Sequence, residues 1–308
     1  PLTPTFIIEP YFINGRKISV SFKKYRKIDV NSIVNSINEY SAQNQSNSFE
    51  KYVELFIKAN RIHLSKISEE AKKFIIREAS KYKPDHRLIS FSGGKDSTVT
   101  ADLVIKALRD PTVMHIFCDT TLEIPYTYEY KNRYRNANPK AIFKMAKNKE
   151  QNFYKVCEDI GPPARMMRWC CTMFKTGPIT RVLNYAFKDE KVLTFYGIRK
   201  CESLSRSKYN RVEDTSDAIK IQKQAVASPI FFWSDLEIWL YILGEKLDFN
   251  YAYRLGYDRV GCWCCPNNSE RSHFLSRIYM PEQWTEWRNY LIRESLINKD
   301  NFSDLRRC

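Results

Sequence analysis

Glycine is scarce in this chain of 308 residues: 9 positions, where average usage would supply about twenty. A chain that uses so little glycine and still sets two side by side, at Gly93-Gly94, needs them there. Long apolar runs are missing too. The longest, Ile238 to Leu243, falls far short of the ~18 residues of a membrane span. No membrane association is expected. No export signal is read either, since Pro1, Pro4, Glu9 and Pro10 break the N-terminal stretch. Nine cysteines are an odd number without such a signal. A secreted disulfide framework is therefore excluded and a cytoplasmic location expected. Histidine is limited to His63, His86, His115 and His273, scattered and assigned no role. The chain has 43% hydrophobic and 14% aromatic residues. That rules out disorder as the main state.

The first 85 residues differ from the rest. A strand or hairpin is expected around Gly15, then a helical pattern from Asp29 with Val30, Ile33, Val34 and Ile37 on one face. Ser41 to Ser48 is polar and reads as a linker. Helices are expected at about 49–61 and 65–82, before Pro84. From Arg87, strands alternate with helices: strands at 87–91, 113–117 and 191–196, helices after the Gly-Gly turn, near 124–135 and at 234–243. That alternation predicts an α/β fold with a doubly wound, mainly parallel sheet. The expected division is an N-terminal, mainly helical appendage (1–85), a nucleotide-binding domain (86–270) and a C-terminal helical extension (271–308). Tyr279 to Ile292, with Trp284, Trp287 and Tyr290, reads as a packing helix.

Ser90-Phe91-Ser92-Gly93-Gly94-Lys95-Asp96-Ser97 follows a strand and opens a helix. The glycines let backbone amides approach an anion and permit positive φ. The helix start offers free N–H groups and its dipole to a phosphate. Lys95 can neutralise phosphate charge, Asp96 can hold Mg²⁺, and Ser92 and Ser97 add hydroxyls. The spacing is not that of Walker A. The bland alternative is a helix start with solvated charges, which the strand–turn–helix context disfavours.

The Ser92–Ser97 string resembles the PP-loop of the ATP pyrophosphatase superfamily. Phe117-Cys-Asp-Thr120 resembles that superfamily's aspartate motif. Cys170-Cys171 with Lys175 and Pro178 resembles the phosphoadenosine phosphosulfate (PAPS) reductase family, as do Gly197-Ile-Arg199 with Glu202, Ser203 and Arg206. Ser228-Pro-Ile230, Trp233-Ser-Asp235 and Tyr257 to Pro266 complete the resemblance, over about residues 86–270. It implies an adenine-nucleotide alpha-hydrolase-like fold, ATP and Mg²⁺ as ligands, and cleavage between the α- and β-phosphates. Lys95, Asp96, Arg199 and Arg206 are the implied catalytic residues. Ser90 to Ser97, Asp119, Thr120 and Gly197 are the implied nucleotide contacts, Asp119 towards ribose, base or metal.

Cys170, Cys171, Cys262 and Cys265 pair an adjacent Cys-Cys with a C-x-x-C. Buried thiols are the bland reading. Zinc prefers spaced pairs. The resemblance to cysteine-rich adenylylsulfate reductases implies a [4Fe–4S] cluster on these four, with zinc the lesser alternative. Cys264 is spare, and Cys118, Cys157 and Cys201 look structural. No residue matches the reductases' Glu-Cys-Gly-Leu-His motif, and Cys308 lacks its context.

Lys and Arg total 50 against 35 Asp and Glu, a net charge of +15. Basic residues cluster at Arg16–Lys27, Lys131–Lys149 and Arg199–Arg211. Solvated surface explains any one cluster; three together favour a polyanion. The expectation is an enzyme that activates an acceptor for sulfur transfer, the acceptor being nucleic acid, as in the DNA phosphorothioation ATP pyrophosphatases. A sulfur donor such as a cysteine desulfurase is the implied partner. The alternatives are an adenylylsulfate or PAPS reductase of sulfate assimilation, and a non-catalytic nucleotide- or nucleic-acid-binding regulator.

Overall fold

The computed structural model describes residues 11–13, 16–18, 47–188, 190–214 and 224–297. The expected helix from Asp29, most of the Ser41–Ser48 linker, most of the Arg16–Lys27 cluster and Cys308 lie outside them. The chain forms two compact units, Pro1–Ala59 and Asn60–Cys308. In the first, strands β1 (Tyr11–Ile13) and β2 (Arg16–Ile18) pair antiparallel, Tyr11 opposite Ile18, around Gly15 as expected.

Helix α1 (Asn47–Ala79) is continuous where two helices were expected. No proline or glycine falls between 61 and 65 to break it. From Asn60 onward it buries Ala71, Phe74, Ile75 and Ala79. These positions are three to four residues apart, the spacing of one helical face.

The second unit is built on a six-stranded sheet. Its strands are β3 (Arg87–Ser90), β4 (Met114–Asp119), β5 (Phe143–Lys147), β6 (Val192–Phe195), β7 (Val212–Asp214) and β8 (Gln224–Ala227). Their order is β5-β4-β3-β6-β8-β7, parallel except for the β7–β8 pair. Leu88, Ile89, Ile116, Phe117, Val192, Leu193, Phe195, Ala225 and Ala227 are all buried. Runs buried on both faces are the mark of a parallel sheet covered by helices. The helices are α2 (Lys95–Leu108), α3 (Pro125–Ala137), α4 (Phe153–Ile160), α5 (Gly177–Phe187), α6 (Asp235–Gly244), α7 (Glu270–Tyr279) and α8 (Pro281–Ile297). Pro125 pre-sets the first turn of α3, and a Ser234–Glu237 capping box opens α6.

Three strands escaped the sequence reading. β5 is hidden in the basic stretch 131–149, and the short β7 and β8 lack a run long enough to register. The expected packing helix is split at Met280: α7 ends before it, and Pro281 starts α8, which buries Trp287 and Tyr290.

Candidate functional site

The chain leaves β3 toward β4 on one side of the sheet and returns to β6 on the other. Such a reversal opens a crevice beyond the carboxyl ends of the strands, where ligands bind in doubly wound folds. The residues after Ser90 and after Phe195 meet there. Gly93 has φ +72, a conformation that L side chains resist. Gly94 is the N-cap of α2. Gly197 follows β6 so closely that a Cβ would stand 2.7 Å from the Asp96 carbonyl carbon and 2.9 Å from Ser97 N. Glycine at 197 is thus required by the contact between two backbones.

The loop's side chains are tied together. Ser97 Oγ donates to Gly94 O at 2.8 Å, and Ser92 Oγ lies 3.2 Å from Ser97 Oγ. Phe91 is 1% exposed and stacks on Tyr134 at 4.3 Å between centroids. Its ring belongs to the core, so this position offers the crevice only backbone.

Lys95 is 5% exposed. Its Nζ lies 3.2 Å from Asp235 Oδ1, 3.5 Å from Asp96 Oδ2, and donates to Asp258 O at 3.3 Å. Its backbone N–H donates to Tyr253 Oη at 2.9 Å, and its ammonium sits 5.4 Å from the centre of that ring. Sequence reading missed Tyr253, because 158 residues separate it from Lys95.

Arg199, one of the implied catalytic residues, is held as a buried strut. It is 3% exposed, with Nε on Asp96 Oδ1 at 2.6 Å and Nη2 on Asp235 Oδ1 at 2.9 Å. Asp96, expected to hold Mg²⁺, has both carboxylate oxygens engaged by these cations. Arg206 pairs with Glu202, and Arg211 pairs with Glu70 while stacking on Phe74 at 3.9 Å. The arginines of the third basic cluster therefore face protein carboxylates. Lys95, Arg199, Cys201, Arg206, Asp235, Asp258 and Arg259 line a cavity of about 300 Å³ at this place.

Asp119 ends β4 and is 5% exposed. It accepts from Tyr128 Oη at 2.7 Å and from Thr121 N at 2.9 Å, and Lys147 Nζ lies 3.2 Å away. Burial pushes its pKa up, but these three partners together hold it below the ordinary value. Thr120 donates to Glu123 Oε1 at 3.0 Å and lies 3.3 Å from Cys262 Sγ. Burial raises the Glu123 carboxyl, against the opposing charge of Lys175.

The chain brings the four expected metal cysteines into one neighbourhood. Cys170 is raised first by its hydrogen bond to Cys171, then by burial, then by the charges of Cys171, Cys262 and Cys265. Burial raises Cys262 as well, with Glu123 and Cys265 adding to it. Cys170 and Cys262, whose ionisation the neighbouring thiols disfavour, belong to a donor set that a bound cation would relieve, so the chemistry of the four fits a cluster. Yet among the described residues no three Cys, His, Asp or Glu side chains stand in a metal-holding arrangement. Cys264 is 5% exposed and packs with Trp263. Burial pushes Cys118 up to about 12.

The phosphoadenosine phosphosulfate reductase domain model matches residues 86–268. The chain belongs to this family. An uncharacterized protein of Methanocaldococcus jannaschii is 32% identical over 272 residues, 88% of this chain and 55% of that protein. A second from the same organism is 29% identical, covering 80% of this chain and 57% of that one. The chain thus spans about half the length of these curated relatives. Adenosine 5′-phosphosulfate reductase of Staphylococcus epidermidis is 27% identical over 57% of this chain and 68% of that enzyme. Among solved structures, Candida glabrata FMN adenylyltransferase superposes with a TM-score of 0.52 at 14% identity, covering 65% of this chain and 62% of that one. This likeness is one of fold. In this family member the Ser92–Ser97 loop opens α2 at the crevice beyond β3 and β6. No helix among the described residues is long and apolar enough to cross a membrane.

Proposed function

We propose that this PAPS reductase-family chain is an ATP pyrophosphatase that activates an acceptor for sulfur transfer. The acceptor oxygen bonds to the α-phosphorus of ATP as the α–β anhydride bond breaks, and pyrophosphate leaves. The terminal sulfur of a persulfide then displaces AMP, and a thiol cleaves the resulting S–S bond, leaving one sulfur on the acceptor and carrying the other away as a disulfide. The observation that carries this reading is the mixed charge of the cavity. Lys95, Arg206 and Arg259 share it with Asp235 and Asp258. The phosphosulfate anhydride of the rival substrate carries less charge than a triphosphate. A departing pyrophosphate carries more charge and is stabilised by cations together with a metal. Asp235, whose side chain is 61% exposed and whose Oδ1 is shared by Lys95 and Arg199, and Asp258 are the carboxylates beside Asp96 on which Mg²⁺ would draw. The amides at Gly93 and Gly94 and the N-terminus of α2 bind phosphate oxygens.

Cys170, Cys171, Cys262 and Cys265 are the residues that would hold a [4Fe–4S] cluster, which when bound would supply sulfur-binding iron. The acceptor in this reading is nucleic acid, and a cysteine desulfurase or similar protein donates the sulfur. Net charge supports a polyanion. So does the exposure of Lys140, Lys144 and Lys149 beside β5. The test is incubation with Mg-ATP, single-stranded DNA, a persulfide donor and a thiol reductant, then nuclease digestion and mass spectrometry. Dinucleotides carrying sulfur in place of a phosphate oxygen are expected; their absence with every nucleic acid tried would overturn the acceptor.

A second reading is favoured by the reductase relatives: reduction of adenosine 5′-phosphosulfate. Release of sulfite from that nucleotide in the presence of thioredoxin, without any ATP requirement, would establish it instead.

A further inference from the structure

Beyond the nucleotide crevice, a larger cavity of about 610 Å³ lies between α7, α8 and the cysteine turn, residues 262–265. That is the size of a small-molecule site. Most of its wall comes from residues after 268, where the family domain ends. Its lining includes Cys264, His273, Arg277, Trp284 and Arg288.

Three features give it a chemistry. First, neither Arg277 nor Arg288 has an ion-pair partner among the described residues, although α8 carries Glu282 and Glu286. Two unpaired guanidiniums facing one cavity attract an anion. Second, Trp284 is half-buried at the cavity with its ring 5.6 Å from His273. An indole at the wall of a cationic cavity offers a platform for a planar ring. Third, His273 Nδ1 is buried without a hydrogen-bond partner among the described residues. Burial and the charge of Arg165 lower the His273 pKa, so its ring is neutral at pH 7 and offers one donor and one acceptor. A buried ring nitrogen left unpaired is costly unless a ligand reaches it.

The cysteine turn reaches from the end of β4 to this cavity. Cys262 Sγ lies 3.3 Å from Thr120 Oγ1, at the end of β4. Two residues on, Cys264 lines the second cavity.

From this we infer that the cavity between α7, α8 and the cysteine turn binds a nucleoside phosphate, with the base on Trp284 and the phosphate on Arg277 and Arg288. The inference rests on the reading of nucleic acid as the acceptor and names the subsite that would hold a unit of it. The same chemistry serves a free mononucleotide, so the experiment separates the two sources.

The probes are thymidine pentanucleotide, thymidine monophosphate and inorganic phosphate. None carries adenine, so none reports the ATP crevice by base recognition. Binding to the full chain is read by tryptophan fluorescence and calorimetry, for wild type, Trp284→Ala and the double variant Arg277→Ser/Arg288→Ser. Tighter binding of the pentanucleotide than of the monophosphate indicates a strand. Equal binding indicates a free nucleotide. In either case both variants should weaken binding at least tenfold, with ATP affinity unchanged. Equal affinity of variants and wild type, or phosphate binding as tight as the nucleotides' and equally weakened by Arg277→Ser/Arg288→Ser, overturns the inference. Pyrophosphate release from ATP is scored separately. Nucleotide binding that depends on Trp284 in a chain that releases no pyrophosphate would leave this subsite standing and remove the ATP pyrophosphatase reading. Release without such binding would do the reverse.

Discussion

Arg199 and Asp96 meet at 2.6 Å, Nε to Oδ1, although 103 residues separate them. The pair joins the segment after β6 to the first turn of α2, and Gly197 makes the approach possible by having no Cβ. Removing one partner of a buried pair strands the other charge and costs roughly 3–5 kcal/mol. Arg199→Ala is expected to lower unfolding free energy by about that amount in urea titration. A change below about 1 kcal/mol would contradict the strut assignment.

Gly197→Ala places a methyl against the Asp96 carbonyl. Overpacking of this kind costs about 1–3 kcal/mol. Here it also displaces the loop that holds phosphate. A weaker affinity for ATP is expected along with the lower stability; unchanged calorimetric affinity would sever the link between this contact and the loop.

His115 is fully buried, with Nδ1 2.8 Å from Val113 O. Burial lowers its pKa to about 4 against 6.5 for the ordinary ring. Between those values the unfolded chain takes up a proton that the folded one refuses, so stability falls as pH drops from 6.5 to about 4. The loss amounts to about 3 kcal/mol. His115→Phe is expected to flatten the stability profile in that window. A variant profile parallel to wild type would contradict it.

The cysteine group is tested by colour. Protein purified without oxygen is expected to be brown with about four irons, and Cys262→Ser to bleach it. A colourless wild type carrying one zinc would make the cysteines structural.

The phosphate loop was legible because Gly93, Gly94, Lys95 and Ser97 are local: their spacing alone implies a strand–turn–helix. The alternation around it was enough to give a parallel sheet. What sequence hid was non-local or too short. Tyr253 reaches Lys95 from 158 positions away. β7 has three residues and β8 four, too few for a periodicity. β5 carries Lys144 and Lys147 because it is an edge strand, where charge discourages further pairing. The Arg199–Asp96 pair escaped for the same reason: a motif names residue types, while the partner of a charge is a property of the fold.

The central claim is cleavage of ATP at its α–β bond, and pyrophosphate release measures it most directly. Wild type with Mg-ATP and single-stranded DNA is expected to release pyrophosphate. Lys95→Ala, still folded by circular dichroism, is expected to be slower by ~10²-fold or more. Release of orthophosphate in place of pyrophosphate, or equal rates for wild type and Lys95→Ala, would contradict the account.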